Sequence, residues 1–174
     1  FDNGGVAYSL ANTAVGFEAL YTNNPTFLGN AQYNTAIGYK SLRQNTNGNG
    51  NTALGYNALN ENTNGSSNTA VGSSALLANT TGLRNVAIGT ATAWNNTAGS
   101  DNIAIGTLAL STQNFNIGYG YSTGNIAIGF YSLFNNNPTV SDNGKYNTAI
   151  GYYAMKENTI GFNNTTLGYY SAVN

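Results

Sequence analysis

The chain has 174 residues, of which 6% are charged and 41% are hydrophobic, and its formal net charge is −1. It contains no Cys and no His, which excludes disulfide frameworks, zinc fingers and Cys- or His-based nucleophilic catalysis. So few charges argue against a nucleic-acid-binding surface, and no apolar run reaches the ~18 residues of a membrane helix. We therefore expect no enzymatic activity, no nucleic-acid partner and no membrane insertion.

One short motif recurs along the chain. It reads Asn-(Thr/Val/Ile)-(Ala/Thr)-(Ile/Val/Leu)-Gly and occurs nine times, ending at Gly16, Gly38, Gly55, Gly72, Gly89, Gly106, Gly129, Gly151 and Gly168. These glycines are 22, 17, 17, 17, 17, 23, 22 and 17 residues apart. A second element, Asn-Thr-x-Gly, recurs between copies, as at 45–48 and 62–65. We interpret residues 1–174 as a single repeat domain with a basic unit of 17 residues.

The three residues before each motif glycine are predicted to form a short strand. In Thr35-Ala36-Ile37, Val86-Ala87-Ile88 and Ile103-Ala104-Ile105, larger side chains alternate with alanine. This is the period of a strand with one face toward a core, whereas the glycines and the many Asn and Thr residues disfavour helix. The pattern favours the larger side chains as the inward face, although the Thr copies leave that choice open.

A single unit cannot bury its apolar face, so neighbouring units are expected to stack in register. The predicted fold is all-β, a parallel β-solenoid (β-roll) of about nine stacked coils of 17–23 residues. Stacking predicts an asparagine ladder, an aliphatic row and a glycine row. Their representatives are Asn34, Asn51, Asn68 and Asn85 in the first; Ile37, Leu54, Val71 and Ile88 in the second; and Gly38, Gly55, Gly72 and Gly89 in the third.

Three units are longer, and two of their extensions share an Asn-Asn-Pro-Thr core at 23–26 and 136–139, which predicts loops. Both ends of the chain fall within a unit. Joining the last residue to the first would space Gly168 and Gly16 by 22 residues, an existing unit length. This predicts a head-to-tail contact between copies, and a heterologous contact of that kind propagates into a filament.

Aromatic residues follow the motif glycine toward both ends of the chain. Exposed rings would stack on sugar rings or pack against neighbouring subunits. The interpretation that we favour from the sequence is that they fill the core or the corners of wide coils. The candidates for a surface, glycan or subunit contact are Tyr39, Tyr56, Tyr152, Tyr153, Tyr169 and Tyr170.

Two further functions are disfavoured by the pattern. An outward Thr ladder would match ice, but Val86, Ile103 and Ile126 replace the Thr in three units, and its same-face partner is aliphatic. Glu61 and Glu157 occupy equivalent positions five coils apart, about 24 Å at the cross-strand spacing, which is too far for a paired acid and base.

Acidic turns do not change this expectation. Asp2-Asn3-Gly4 and Asp142-Asn143-Gly144 are typical of turns, and neither offers enough carboxylates for a calcium site. We therefore expect no metal site and no cofactor.

The motif resembles two related sets of repeats. NVAIGTATA (85–93) and NIAIGTLAL (102–110) are similar to the head domains of trimeric autotransporter adhesins, and the phrase NTAIGYxAL is similar to arrays in phage-tail-fibre-like and bacterial surface proteins. The resemblance covers about residues 12–172. It implies a left-handed parallel β-roll, commonly trimeric, on an extracellular fibre.

The expected function is that of a structural subunit of an extracellular or cell-surface fibre, a virion fibre or an adhesin. Its partner would be the same chain, in a head-to-tail filament, a homotrimer or both. The alternative is a glycan-binding adhesive module that uses the Tyr rows to bind a surface glycan or host receptor. An ice-binding protein is a minor alternative.

Overall fold

A computed structural model describes residues 11–23, 30–114, 121–138, 140 and 143–172. Within these residues the chain forms eleven short strands and no helix. The strands are β1 (Thr13–Val15), β2 (Thr35–Ile37), β3 (Thr52–Leu54), β4 (Thr69–Val71), β5 (Val86–Ile88), β6 (Gly99–Ser100), β7 (Ile103–Ile105), β8 (Tyr121–Ser122), β9 (Ile126–Ile128), β10 (Thr148–Ile150) and β11 (Thr165–Leu167).

Nine of these strands form one parallel sheet. Their order in the sheet is their order in the chain, β1-β2-β3-β4-β5-β7-β9-β10-β11. The register places each motif residue beside its counterpart, as with Ala53 and Ala70 or Leu54 and Val71. β6 and β8 pair separately, also in parallel. The predicted all-β parallel solenoid is therefore confirmed. Of the two predicted loops, residues 136–138 lie in no strand, whereas 24–26 and 139 lie outside the described residues.

The middle residue of the strand, which is alanine in eight of the nine strands of the large sheet, faces the inside of the coil, and the larger side chains do not. Ala36 and Ala53 are fully buried, whereas Ile37 is 37% exposed and Leu54 is 45% exposed. The favoured inward face of the strand was therefore wrong. The aliphatic row stacks in register as predicted but lies on the outer surface, at Ile37, Leu54, Val71 and Ile88.

The narrow interior explains this reversal. Opposite the strand, most coils turn one leucine and a small neighbour inward; Ala58, Leu59, Ala75 and Leu76 are all fully buried. Ala93 and Met155 take the place of the leucine in two coils. Together with the strand alanine, these side chains fill one layer of the core. Because protein interiors are close-packed, a second large aliphatic side chain in each layer would overfill the coil.

The chain leaves each strand through a segment with repeated positive φ angles. In the fourth coil, φ is 134° at Gly72, 57° at Ser74 and 51° at Leu76. Residues other than glycine rarely adopt such angles. Here they are held by backbone hydrogen bonds to both neighbouring coils: Ser74 N–H donates to the carbonyl of Tyr56 at 2.8 Å, and Leu76 N–H donates to that of Thr92 at 3.0 Å.

Candidate functional site

The asparagine that opens each motif joins neighbouring coils. The Oδ1 atom of Asn51 accepts the backbone N–H of Asn68 at 3.0 Å, and its Nδ2 donates to the carbonyl of Gly65 at 2.8 Å. The predicted asparagine ladder is therefore present. The Oδ1 contact recurs from coil to coil through Asn12, Asn34, Asn51, Asn68, Asn85, Asn102, Asn125, Asn147 and Asn164.

A second amide row, not predicted from the sequence, runs beside the first. Asn62 donates through Nδ2 to Oδ1 of Asn45 at 3.0 Å and to the carbonyl of Gly65 at 2.9 Å. That carbonyl thus receives one amide from each row. The Asn and Gly of the recurring Asn-Thr-x-Gly element were the available signal. The row contains Asn23, Asn45, Asn62, Asn79, Asn96, Gln113, Asn136 and Asn158.

The two amide rows leave the polar interior satisfied. Among the described residues, no buried side-chain nitrogen or oxygen lacks a hydrogen-bond partner. Buried polar networks of this kind rigidify a fold when every member is paired. The coils therefore form a continuous stack that is held by backbone bonds, side-chain amides and a narrow apolar core.

One column of aromatic rings lies near the N-terminal end of the stack. Phe17 stacks on Tyr39 and Tyr39 stacks on Tyr56, with ring centroids 5.4 Å apart in both pairs. All three side chains are exposed. The interpretation that these rings fill the core or the corners of the coils was therefore wrong, and they lie on the surface.

Two aromatic columns lie side by side near the C-terminal end. Successive rings within each column have centroids 4.8–5.4 Å apart. Tyr152, Tyr169 and Tyr170 are exposed, and Tyr153 is partly exposed. All six tyrosines singled out from the sequence thus contribute to surface columns. The two C-terminal columns are Phe130, Tyr152 and Tyr169, and Tyr131, Tyr153 and Tyr170.

Stacking occupies the faces of the inner rings. Tyr39 lies between Phe17 and Tyr56, and Tyr152 lies between Phe130 and Tyr169. A sugar that stacks on an aromatic residue needs a free ring face, whereas an inner ring of a column offers a ligand its edge and its hydroxyl group. The columns therefore suit continuation by further rings better than capture of a glycan.

We predict that the folded chain becomes less stable at high pH, because tyrosine hydroxyl groups lie close together in the C-terminal columns. Partial removal from water raises the pKa of Tyr152, and the adjacent Tyr153 adds to the increase. The folded chain then keeps a proton that the unfolded chain releases near pH 10, so the free energy of unfolding falls as the pH rises through that range. We expect the guanidinium chloride midpoint to fall between about pH 9 and about pH 11, and to fall less in Tyr152→Phe. If the midpoint fell equally in the wild type and in Tyr152→Phe, Tyr152 would not be the source of the pH dependence.

Charged side chains form pairs on the surface. Arg84 Nε donates to Asp101 Oδ1 at 2.6 Å, and this bond lowers the pKa of Asp101. Lys156 Nζ lies 3.2 Å from Glu157 Oε1. Exposed pairs of this kind contribute little to stability, so the stack does not depend on them.

The carboxylates that the structure describes lie in separate coils along the stack. Glu61 follows the third strand of the large sheet and Glu157 follows its eighth. Among the described residues, no cluster of three or more metal-ligating side chains occurs. Of the two predicted turns, residues 2–4 and Asp142 lie outside those residues, whereas Asn143 and Gly144 are described and lie in no strand.

The described stack has an exposed coil at each end. At the first coil Ala14 is exposed, although its neighbour in the row, Ala36, is fully buried. At the last coil Thr166, the counterpart of Ala149, is partly exposed. An open recess of about 420 Å³ lies at this end, lined by Met155, Glu157, Asn158, Thr159, Ile160, Gly161, Asn164, Thr165 and Ala172.

The backbone groups left over at one end of the stack match those left over at the other. Between inner coils, the motif glycine and the second residue after it donate their N–H groups to carbonyls of the preceding coil. In the first coil, the N–H groups of Gly16 and Glu18 have no such acceptor among the described residues. In the last coil, the carbonyls of Leu167 and Tyr169 have no such donor within the same part of the chain.

The amide rows, the aromatic columns and the two exposed ends are the features that bear on function. Within the described ranges, no helix is long and apolar enough to cross a membrane. Comparisons with protein-family models, curated proteins and solved structures gave no match to this chain.

Proposed function

We propose that this chain is a structural subunit of an extracellular fibre or adhesin, and that its copies assemble by stacking end to end. The observation that carries the proposal is the complementarity of the two end coils. Gly16 and Glu18 present N–H donors at one end, and Leu167 and Tyr169 present carbonyl acceptors at the other. Placing the first coil of one copy on the last coil of another pairs them in the pattern of the inner coils.

The asparagine ladder supports the same junction. Inside the stack, the Oδ1 of each motif asparagine accepts the N–H of the next. At the ends, the N–H of Asn12 and the Oδ1 of Asn164 are the corresponding donor and acceptor, and neither has this partner among the described residues. End-to-end contact would extend the ladder from one copy into the next.

The aromatic column and the core would also continue across the junction. Phe17 begins the N-terminal column, and Tyr169, which is 74% exposed, ends the equivalent column at the other end. Both follow a motif glycine, so stacking places one ring over the other. Ala14 would lie over Thr166 and become buried, as Ala36 already is inside the stack.

The proposed role is mechanical. Repeat proteins derive much of their stability from contacts between nearest neighbours, and each added copy here contributes a further interface of the same kind. With 6% charged residues, the chain has little self-repulsion to oppose close contact between copies. The extracellular setting rests on the resemblance of the motif to adhesin-head and tail-fibre repeats.

Electron microscopy of the purified chain tests this proposal. We expect filaments with an axial repeat of roughly 43 Å, which corresponds to nine coils at the strand spacing of ~4.8 Å. Ala14→Asp should fold but abolish filaments, because a carboxylate would be buried unpaired at each junction. Thr13→Asp is the matched control: it adds the same charge on the outer side of the same strand and should retain filaments.

Discrete particles of the wild-type chain at every concentration would contradict end-to-end stacking. Filaments that persist unchanged in Ala14→Asp would show that the copies join through another surface. Circular dichroism of both variants establishes that they are folded before the filaments are compared.

A further inference from the structure

The outer face of the large sheet carries two rows of uncharged side chains. Each strand turns its first and third residues outward, and the parallel register aligns them from coil to coil. We call this surface the outer ribbon. Its rows are Thr13, Thr35, Thr52, Thr69, Val86, Ile103, Ile126, Thr148 and Thr165, and Val15, Ile37, Leu54, Val71, Ile88, Ile105, Ile128, Ile150 and Leu167.

The centre of the outer ribbon is entirely aliphatic. β5, β7 and β9 contribute only Val and Ile to both rows, whereas the strands toward either end contribute Thr to the first row. Ile88 is 39% exposed and Ile103 is 38% exposed. An apolar centre bordered by more polar positions is the usual composition of a protein–protein contact, and contiguous exposed apolar surface marks interaction sites.

The ribbon of one copy is too small to form a stable complex with a second single copy. Nine strands of three residues cover roughly 43 Å by 10 Å, about 430 Å² in projection. A stable complex buries about 800 Å² on each partner. A pair of single copies joined through this surface would therefore associate weakly.

End-to-end stacking removes this limit. At the proposed junction, Thr165 aligns with Thr13 and Leu167 aligns with Val15 of the next copy, so the ribbon runs on along the fibre. Two fibres that lie side by side then face each other through many ribbons at once, and multivalent contacts gain strength without any new kind of contact.

We propose that the outer ribbon is the lateral contact between fibres of this chain, and that its occupant is the ribbon of a second copy. This inference rests on the proposed end-to-end assembly. The two sheets would pack face to face at about 10 Å, as in stacked sheets generally. The aliphatic centre is self-complementary, and neither row carries a charge that would repel its own copy.

Lysines on the ribbon test the proposal. The double variant Ile88→Lys/Ile105→Lys places charges on the aliphatic centre without touching the buried alanines. Thr90→Lys/Thr107→Lys is the matched control, because it adds the same charges in the same two coils, beyond the motif glycine and off the ribbon. In electron micrographs we expect paired or bundled fibres from the wild type and the control, and complete loss of bundling from the ribbon variant, with single fibres of unchanged axial repeat.

Wild-type fibres that remain single, or bundles that persist in the ribbon variant, would overturn the lateral contact while leaving end-to-end assembly intact. If no fibres form, sedimentation of Ala14→Asp at high concentration still decides the question. Weak self-association that disappears when Ile88→Lys/Ile105→Lys is added supports the ribbon contact. A monomer at every concentration overturns it, and thermal hysteresis from such a monomer would instead assign the outward Thr and Ile rows to ice.

Discussion

Replacing Asn68 with leucine is expected to lower the free energy of unfolding by about 1–3 kcal/mol, the cost of one buried polar group that is left unpaired. The leucine has a similar size but removes the Oδ1 acceptor of the Asn85 N–H, which is 2.9 Å away. It also removes the Nδ2 group that donates to the Gly82 carbonyl at 2.8 Å, and that carbonyl then keeps only the amide of Asn79. Chemical unfolding followed by circular dichroism measures the change.

Asn137→Leu is the control for this experiment. Asn137 is exposed, so we expect its replacement to change the free energy of unfolding by no more than about 0.5 kcal/mol. If Asn68→Leu were equally mild, the ladder would be a consequence of stacking and not one of its causes. Loss of stability in both variants would point to a general dependence on asparagine.

Replacing Gly72 with alanine should destabilise the fold by about 3 kcal/mol or more, because two effects combine. Its φ of +134° is one that residues with a side chain rarely adopt. In addition, a Cβ atom would lie 2.5 Å from the carbonyl oxygen of Gly89 in the next coil. The backbones of the two coils would have to separate, which breaks the hydrogen bonds beside the glycine row.

Gly50→Ala has the first effect without the second, so its comparison with Gly72→Ala isolates the clash between coils. Gly50 also has a positive φ, +64°, but its nearest neighbour to a new Cβ is Ser67 Oγ at 3.9 Å. We expect a loss of about 1–2 kcal/mol there, the cost of the left-handed conformation alone. Thermal and guanidinium chloride unfolding of the two variants should therefore differ clearly. Equal losses would mean that coil-to-coil spacing is not set by the glycine row.

The repeat allowed the stack to be predicted but not the direction in which its side chains face. In Thr35-Ala36-Ile37 both parities are uncharged, so hydrophobicity alone favoured Ile37 as the buried residue. Which strand residue is buried depends on the width of the coil. That width depends in turn on a large side chain, usually leucine, that packs from the opposite side of the coil. The sequence of the strand alone does not show how much room the core leaves for its side chains.

The backbone conformation after each motif glycine and the exposure of the aromatic columns were not predicted either, for a similar reason. The motif glycines mark the end of each strand. The positive φ of Ser74 and Leu76 follows from hydrogen bonds to the two neighbouring coils, and neither residue type favours that conformation. The aromatic columns depend on the same tertiary geometry, because it places the residue after each glycine on the outside. Residue spacing identified which rings align but not which side of the coil they occupy.

Gln113 has a consequence for how the chain folds. Where the second amide row otherwise contains asparagine, Gln113 donates to Asn96 Oδ1 at 3.0 Å and accepts from Asn125 and Asn136, both at 2.9 Å. Coils of equal length are nearly interchangeable, so a folding chain can slip by a whole unit and still align its rows. A side chain one methylene longer fits only one level of the stack. Gln113 therefore helps to specify the register of the coils, because it disfavours slipped pairings that the uniform asparagines would accept.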